Sequence, residues 1–581
     1  MSIPKSAFHH GLLGGVTGGF FKALAITMAA ALAISFLFAL LVAPILAAKW
    51  VQDRDVEQAE RGGAVLDRVG VHYDHVMRRI LKWPGVLAMV VGVLMLAVGG
   101  FAYTRVGSGF MPRMDEGGFI LDYYAAPGTS LAETDRLLRM VEEILQGMPD
   151  VDNYSRRTGL QLGGGLSEAN EGDFFVRLKA QGRRPIDEVT AEVRRRIEAT
   201  VPGLTIATAQ LMEDLIGDLT AVPQPIEVKL LGADPSALKS ASPLVVNALR
   251  GISGVVEVDG GLRVAGDALV ITLDRPAAAL EGLDPEAVTR QLEILIGGRV
   301  IGQIQEGEKL IGIRVWTEGA LRDQVGALER LPLRAPDGHT LPLRRIAAVS
   351  VAPGQSQVTR EHLQPLVAVT ARLEGRDLGS AMRDVSRAVS ALSLPSGVRV
   401  EYGGLYAEQQ KSFRDLTIVF VSALALVGML FLYLFRNWSA VGSIVVTLIL
   451  AASSVFVGLW ITGTELNISA MMGLTMVIGI VAELGVFYLA ELTPGHEPSA
   501  DEVIAAGRAR LRPIVMSALI AVLALTPLAL GLGAGSAMQK PLAIAIITGL
   551  LAGVPLILVF APALYASLSG GGASRRSVPV D

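Results

Sequence analysis

Cysteine is absent from the sequence, so neither a disulfide nor a thiolate metal site can form. Charge is scarce as well, because 18% of the residues are charged, against about 25% in a typical soluble domain. The formal net charge of −4 gives no basic excess, which argues against nucleic acid as a partner. Hydrophobic residues, in contrast, make up 51% of the chain. A large part of the protein must therefore be solvated by lipid rather than by water.

Seven segments are long and apolar enough to cross a bilayer, which takes about 20 residues. Between the second and the third lie about 300 residues of ordinary soluble composition. The predicted fold class is therefore an α-helical transmembrane bundle of seven spans with one large domain outside the membrane. The spans run approximately over residues 20–48, 84–103, 413–435, 439–462, 468–491, 513–533 and 541–568.

Lysine and arginine fall on one side of the membrane if the seven spans alternate in direction. The opposite loops, such as 462–466 and 531–536, contain almost none. Because positive residues mark the cytoplasmic side, the large domain is expected to face outward and the C-terminus to be cytoplasmic. Asp67–Trp83 is predicted to be an amphipathic helix on the cytoplasmic surface. The basic residues concerned are Lys49, Arg54, Arg61, Arg68, Arg78, Arg79, Lys82, Arg436, Arg508, Arg510, Arg512, Arg575 and Arg576.

The outward region alternates between short apolar strands and amphipathic helices. This strand–helix–strand pattern recurs, which predicts a periplasmic α+β domain of small ferredoxin-like units with helices on one face. Residues from about 262 to 352 interrupt the last repeat and are expected to form an inserted subdomain. The predicted strands are 119–125, 173–179, 204–209, 225–231, 255–258, 366–373 and 398–402, and the helices are 130–148, 186–201, 235–249 and 380–392.

Several short motifs resemble the C-terminal half of a resistance-nodulation-division (RND) efflux permease of the heavy-metal branch. Leu13–Phe21 is similar to the approach to the family's sixth transmembrane helix, and Phe110–Gly117 to the segment leading from the seventh helix into the porter domain. Leu466–Ser469 and Arg510–Pro513 resemble the entries to helices ten and eleven, and Gly531–Pro541 resembles the glycine-rich turn before helix twelve.

The resemblance implies a division of the chain into segments with family counterparts. Residues 1–48 would hold the first span (helix six), 49–83 a cytoplasmic linker, and 84–104 the second span (helix seven). Residues 105–223 would form one porter subdomain, 224–261 with 353–408 a second, and 262–352 a docking subdomain. Residues 409–568 would supply helices eight to twelve, and 569–581 a cytoplasmic tail.

The resemblance also implies a function: a proton-driven secondary transporter and not an enzyme, without a cofactor. The expected assembly is a homotrimer in the inner membrane, working with a periplasmic adaptor and an outer-membrane channel. The family's first five spans, with their acidic relay residues, have no counterpart in the sequence, so a separate N-terminal half is a further expected partner. The alternative is a truncated, transport-inactive half-permease or an assembly subunit.

Glu483 lies inside the fifth predicted span. An acidic side chain at the bilayer centre costs about 2.5–3.5 kcal/mol on insertion scales, and a carboxyl avoids much of that cost by taking up a proton. By the resemblance, Glu483 corresponds to the relay residue of the family's tenth helix, which predicts a role in proton translocation. The other interpretation is a permanently neutral carboxyl hydrogen-bonded to a neighbouring helix. Glu465 and Glu491, at the ends of spans, are expected to be solvated.

Candidate substrate residues form two acidic groups in the outward domain. Carboxylates suit harder divalent cations or organic cations, whereas thioethers suit Cu(I). The three cleft methionines of copper exporters are replaced here by Glu171, Gly217 and Leu283, which disfavours copper or silver, and no metal site is predicted. The substrate, a metal cation or an amphiphilic compound, stays open. The cleft candidates are Glu171, Asp173, Met212, Glu213, Asp214 and Asp218.

Overall fold

The computed structural model describes residues 15–51, 64–159, 168–214, 224–262, 266–318, 325–352, 359–492, 499–533 and 535–569. Within this part of the chain, six helices are long and apolar enough to span a membrane. A seventh span is counted only if two helices, Ala29–Leu41 and Ala43–Trp50, which meet at 40°, are taken as one. The six are Pro84–Arg105, Gly404–Phe435, Trp438–Ile461, Ile468–Leu489, Ala500–Ala529 and Lys540–Leu568.

Two of these helices are longer than the spans predicted within them. The helix predicted over 513–533 begins at Ala500, and Pro513 lies inside it. Proline removes one backbone donor, but a helix in a bundle accommodates it where neighbouring groups satisfy the freed carbonyl. The helix that contains the span predicted from 413 begins at Gly404, because it continues up to the last strand of the domain that is expected to face outward. This span and the domain are therefore one continuous segment.

The bundle is packed through glycines that let helices approach closely. A Cβ on Gly473 would lie 2.6 Å from the Cβ of Ala545, on the helix Lys540–Pro555. On the neighbouring helix Trp438–Ile461, buried Ser453 and Ser454 donate hydrogen bonds to carbonyls of their own turn, which satisfies their hydroxyls without water. Small residues at helix contacts are what lipid-embedded bundles require, since no hydrophobic force drives their association.

The outward domain begins with a four-stranded antiparallel sheet. The strands are β1 (Gly118–Ala125), β2 (Val151–Thr158), β3 (Glu171–Leu178) and β4 (Leu204–Gln210), in the order β2-β3-β1-β4. Helices Leu131–Gln146 and Ile186–Thr200 follow β1 and β3, and their apolar faces bury Leu138, Val141 and Val193 against the sheet. We call this unit the first lobe.

A second lobe repeats the same connectivity. Its strands are β5 (Ile226–Leu231), β6 (Val255–Asp259), β14 (Gln364–Leu373) and β15 (Arg399–Gly403), in the equivalent order β6-β14-β5-β15. Its helices are Pro235–Arg250 and Leu378–Ser390. Because both lobes have two helices on one face of a sheet, each leaves its other face for contacts with the rest of the molecule.

An insertion separates β6 from β14. It comprises β7 (Ala268–Leu273) to β12 (Ala347–Ala352), two strands that pair antiparallel with each other, and it has its own apolar core. The pair β8 (Arg299–Glu306) and β9 (Lys309–Val315) forms an exposed hairpin, and β10 (Pro332–Arg334) pairs with β11 (Thr340–Pro342). Strand β13 (Thr359–Glu361) returns the chain to β14. Gly261, at the exit from β6, has φ +67° and lies against the carbonyl of Ala368, where a Cβ would overlap it.

Candidate functional site

Glu483 lies on a stripe of the helix Ile468–Leu489 that the described helices leave open. Gly479 and Ala490, on the same face, are exposed, and nothing lies within 4 Å of the position of a Cβ on Gly479. The opposite face of the helix is buried against the rest of the bundle. The carboxyl therefore projects outward from the middle of an apolar span, with no hydrogen bond or ion pair to the part of the chain that the structure describes.

A cleft of about 610 Å³ separates the two lobes. Its walls come from β1 and β4 of the first lobe and from β5, β6 and β14 of the second. Burial raises the pKa of Glu227, and nearby Lys229 opposes that rise. Carboxylates outnumber cations among the residues that line the cleft. The charged residues that line it are Asp122, Glu198, Glu227, Glu257, Asp259 and Arg250.

Glu257 joins the two lobes. Its side chain is 2% exposed, and Arg194, on a helix of the first lobe, donates from Nε to its Oε1 at 2.6 Å. Thr208, on β4, donates its backbone N–H to Oε2 at 2.9 Å and its hydroxyl to Oε1 at 2.8 Å. Arg372, on β14, lies 3.4 Å from the same carboxylate. These donors satisfy both oxygens of a carboxylate that water cannot reach.

The backbone at Glu257 is unusual. Its φ is +51°, the left-handed region that side chains other than glycine, asparagine and aspartate rarely adopt. The ladder between β6 and β14 is irregular here, because the register shifts between Thr370 and Arg372. Such strain persists only where surrounding contacts fix it. At Glu257 these contacts are the hydrogen bonds from Arg194 and Thr208, which hold the carboxylate against the first lobe.

Two of the predicted cleft residues have structural partners. Asp173, on β3, is 4% exposed and accepts two hydrogen bonds from Arg157 of β2, both at 2.7 Å. It is therefore part of an ion pair within the first lobe and is not in the lining of the cleft. Glu171, at the start of β3, accepts the backbone N–H of Glu168 at 3.1 Å. Neither residue lines either of the two cavities described here.

The second predicted group lies closer to a cavity. Met212 and Glu213 line a space of about 500 Å³ between the lobes and the membrane boundary. Glu213 accepts from Arg372 at 2.8 Å, and the backbone N–H of Met212 donates to Glu116 at 2.8 Å. Asp214 is described but is not in the lining, and Asp218 lies outside the described residues, as does Gly217.

Leu283, the third position compared with the copper exporters, lies in the insertion. It is buried in the core of the insertion and does not reach the cleft. Its segment follows Gly282, whose φ is +70°, and lies among side chains from β10 and β11.

The cavity of about 500 Å³ that Met212 and Glu213 line extends to the junction between the lobes and the membrane spans. Arg113 donates to Glu465 at 2.9 Å and to the backbone carbonyl of Arg376 at 3.0 Å. Ser108 donates its backbone N–H to Asp377 at 3.0 Å. Burial raises the pKa of Glu465, the charge of Asp377 adds to that rise, and Arg113 opposes it. The expectation that Glu465 is a solvated residue was therefore wrong, whereas Glu491 pairs with Arg510 at 2.7 Å.

Sequence reasoning missed Glu257, Arg194, Arg372 and Arg113 as functional candidates. A signal existed for one of them, because Arg372 is the single charge in the apolar strand β14, where a charge must find a partner. The partners themselves are far apart in sequence and could not be predicted. Among the described residues, no group of three or more His, Asp or Glu side chains is arranged to hold a metal ion.

The model of the AcrB/AcrD/AcrF family matches residues 10–569 of the chain. The chain belongs to this family. The resemblance to RND permeases drawn from the short motifs is thereby confirmed, as is its heavy-metal character, since relatives named for metal resistance are similar along nearly the whole chain. The fold of the family, apolar helical spans with a mixed α/β porter domain, is the one described above.

Two relatives illustrate the similarity. The cobalt-zinc-cadmium resistance protein CzcA of Cupriavidus metallidurans is 29% identical over 570 residues, which cover 95% of this chain and 53% of that protein. The nickel and cobalt resistance protein CnrA of the same organism is 28% identical over 568 residues, covering 95% and 52%. The chain therefore spans about half the length of the curated relatives that it matches.

A solved structure shares the fold. A crystal structure of a heavy metal efflux pump superposes with a TM-score of 0.73 at 24% sequence identity. The superposition covers 88% of this chain and 53% of that one. The lobes, the insertion and the helical bundle thus have the same arrangement as half of that protein.

Proposed function

We propose that the chain is the proton-carrying and porter portion of an efflux permease that exports cations from the periplasm in exchange for protons. The observation that carries the proposal is Glu483, a carboxyl within an apolar span, on a face that the helices described by the structure leave open. Intramembrane acids mark proton relays more often than structural contacts. The relatives' names, which refer to metal resistance, support a transporter over the transport-inactive alternative.

The chemistry proposed for Glu483 is protonation on the outer side and release on the cytoplasmic side. A carboxyl that is charged in contact with water and neutral when enclosed by lipid or protein carries one proton per cycle. The open stripe around it gives access to a second bundle that would supply the acids of the relay. This is the place where a separate N-terminal half would pack.

The cleft between the lobes is the proposed substrate site. Its carboxylates can bind divalent cations, and the cobalt, zinc, cadmium and nickel in the relatives' names are divalent. A transporter needs weak and reversible binding, which carboxylates without cysteine or histidine provide. Organic amphiphilic cations are the second class that a negative cleft of about 610 Å³ can accept.

Export requires that protonation inside the membrane changes the structure of the lobes. Arg113 provides a contact between the spans and the second lobe through which such a change can pass. Glu465 lies between the spans Trp438–Ile461 and Ile468–Leu489, and Arg113 connects it to the carbonyl of Arg376 in the second lobe. A shift of these two helices on protonation of Glu483 would be transmitted through this contact to the wall of the cleft.

The remaining features of the proposal follow the family. The chain would cross the inner membrane seven times, with the lobes as ferredoxin-like porter subdomains, the insertion as a docking subdomain, and the C-terminus in the cytoplasm. It would act as a homotrimer with a periplasmic adaptor and an outer-membrane channel. The paired lobes and the exposed hairpin β8–β9 are consistent with these assignments.

Replacement of the carboxyls in the producing bacterium tests the proposal. Glu483→Gln removes the titrating group and keeps the shape, whereas Glu491→Gln makes the same change at the end of the same helix. We expect Glu483→Gln to lower tolerance to cobalt, zinc, cadmium or nickel to the level of a deletion strain, and Glu491→Gln to retain it. Intracellular metal, measured by mass spectrometry, should rise in the first variant only, at equal amounts of protein in the membrane. Full tolerance in Glu483→Gln would remove the proton-relay assignment.

A further inference from the structure

The helix Ala64–Ile80 is fixed to the membrane bundle by one of its faces. Tyr73 and Met77 are buried, and the hydroxyl of Tyr73 donates to the carbonyl of Leu558 at 2.9 Å. Its ring lies against Gly507, where a Cβ would overlap the hydroxyl oxygen. The position of the helix relative to the spans is therefore set by close contacts.

Charges next to this attached face have partners in the protein. Arg508 pairs with Asp74 at 2.7 Å, and Arg78 pairs with Asp501 at 2.9 Å. Arg79, His72 and His75, which point the other way, have no hydrogen bond or ion pair to the described residues. Of the adjacent residues Arg78 and Arg79, only Arg78 has a carboxylate partner among the described residues.

These three side chains form the rim of an apolar groove of about 440 Å³. The groove lies between the helix and the first turns of the span Pro84–Arg105, at the end of that span remote from the lobes. Its floor is Ile80, Val86, Leu87 and Val90. Trp83, at the junction of helix and span, is 73% exposed. Tryptophan at this position is typical of the boundary between lipid and water.

We propose that this groove binds one anionic phospholipid, with the phosphate at Arg79 and the two histidines and an acyl chain along Val86 and Val90. Charge complementarity at a membrane boundary carries the proposal: the rim holds the cation Arg79, the floor is apolar, and the floor continues along a transmembrane helix. A cation near the membrane surface attracts anionic lipid, and an aromatic ring fixes the depth of the site. The bound lipid would join the cytoplasmic helix to the span in the same way as the ion pairs do on its other side.

Native mass spectrometry of the purified chain in detergent measures this binding directly. The chain is titrated with phosphatidylglycerol and, in parallel, with phosphatidylcholine, which has the same chains and no net charge. We expect one phosphatidylglycerol to be retained at concentrations at which phosphatidylcholine is lost. Arg79→Gln should weaken its binding about fivefold, whereas the control Arg78→Gln, next to it in sequence and equal in charge change, should leave it unchanged.

A second variant separates the groove from the charge. Val86→Trp fills the apolar floor at an exposed position, so it should abolish retention of phosphatidylglycerol while the thermal unfolding temperature stays unchanged. Equal retention of the two lipids, an equal effect of Arg78→Gln and Arg79→Gln, or displacement of the lipid by millimolar inorganic phosphate would each overturn the proposal. The last result would indicate a site for free anions.

Discussion

The carboxylate of Glu257, on the second lobe, accepts both the backbone N–H and the hydroxyl of Thr208, on the first, at 2.9 and 2.8 Å. Thr208 lies in the middle of β4. Glu257 lies on β6, and its backbone is in the left-handed region. Because the contact crosses the lobe boundary next to the cleft, its state is expected to be linked to the width of the cleft.

Glu257→Gln should lower the stability of the outward domain by about 3 kcal/mol. Removing the negative charge from a buried ion pair leaves the positive partners buried without a counter-charge. Arg194 and Arg372 would then face a neutral amide. Glu374→Gln is the control, since Glu374 pairs with the same Arg194 at 2.5 Å from an exposed position, and there a loss below about 1 kcal/mol is expected. Thermal unfolding of the purified chain measures the loss of stability in both variants. Similar losses would show that the buried contact stabilises the domain no more than the exposed one.

Asp173→Asn should destabilise the first lobe by about 2 kcal/mol, because it weakens two charge-assisted hydrogen bonds to Arg157. Asp152→Asn, at an exposed ion pair with Arg177 on the same sheet, is the matched control and should have little effect. Hydrogen exchange of β2 and β3 locates the change. A selective change in the preferred cation, without loss of stability, would instead return Asp173 to the substrate site.

Glu465 gives a pH dependence of defined sign. Since its pKa in the folded protein is raised above the usual 4.5, the wild-type chain loses stability as the pH rises through the window above that value. Glu465→Gln removes the titration, so it should be more stable than wild type at pH 7, with the difference shrinking as the pH falls towards 4.5. Unfolding temperatures at several pH values measure this, and Glu286→Gln, at an exposed carboxyl, is the control. A gap that grows towards acid pH would contradict the assignment.

Two glycines on one helix should respond oppositely to alanine. Gly473→Ala places a Cβ 2.6 Å from Ala545 and 2.9 Å from the carbonyl of Leu542, so the helices must separate and the bundle should unfold at a lower temperature. Gly479→Ala meets open space and should be neutral or slightly stabilising, because alanine favours a helix by about 1 kcal/mol over glycine. Equal unfolding temperatures for the two variants would show that the close helix contact does not limit stability.

The repeating strand–helix–strand order was predictable, because strands such as β1 and β5 are apolar runs and the helices between them are amphipathic. Strand β2 was missed. Its sequence, Val-Asp-Asn-Tyr-Ser-Arg-Arg-Thr, is polar, since it lies at the edge of the sheet and only part of it is buried. The start of the helix Ala500–Ala529 was also missed, because the residues before Pro513 include several charges and do not continue the apolar run.

The site was less predictable than the fold. Glu483 could be found because a charge in an apolar run is visible in the sequence alone. Asp173 could not be distinguished from a substrate ligand, since its partner Arg157 approaches only when β2 pairs with β3. Glu465 depends on contacts across 352 positions of the chain, and its burial is a property of the assembled junction.

The insertion is attached to a single edge of one strand. Strand β6, before it, pairs with β14 at residues 370–373, and β13, after it, pairs with β14 at residues 364–366, on the side opposite β5. A force on the insertion therefore reaches the second lobe through β6 and β14, near Arg372, whose guanidinium lies beside Glu257. A movement of the insertion is therefore expected to displace the contact between the two lobes.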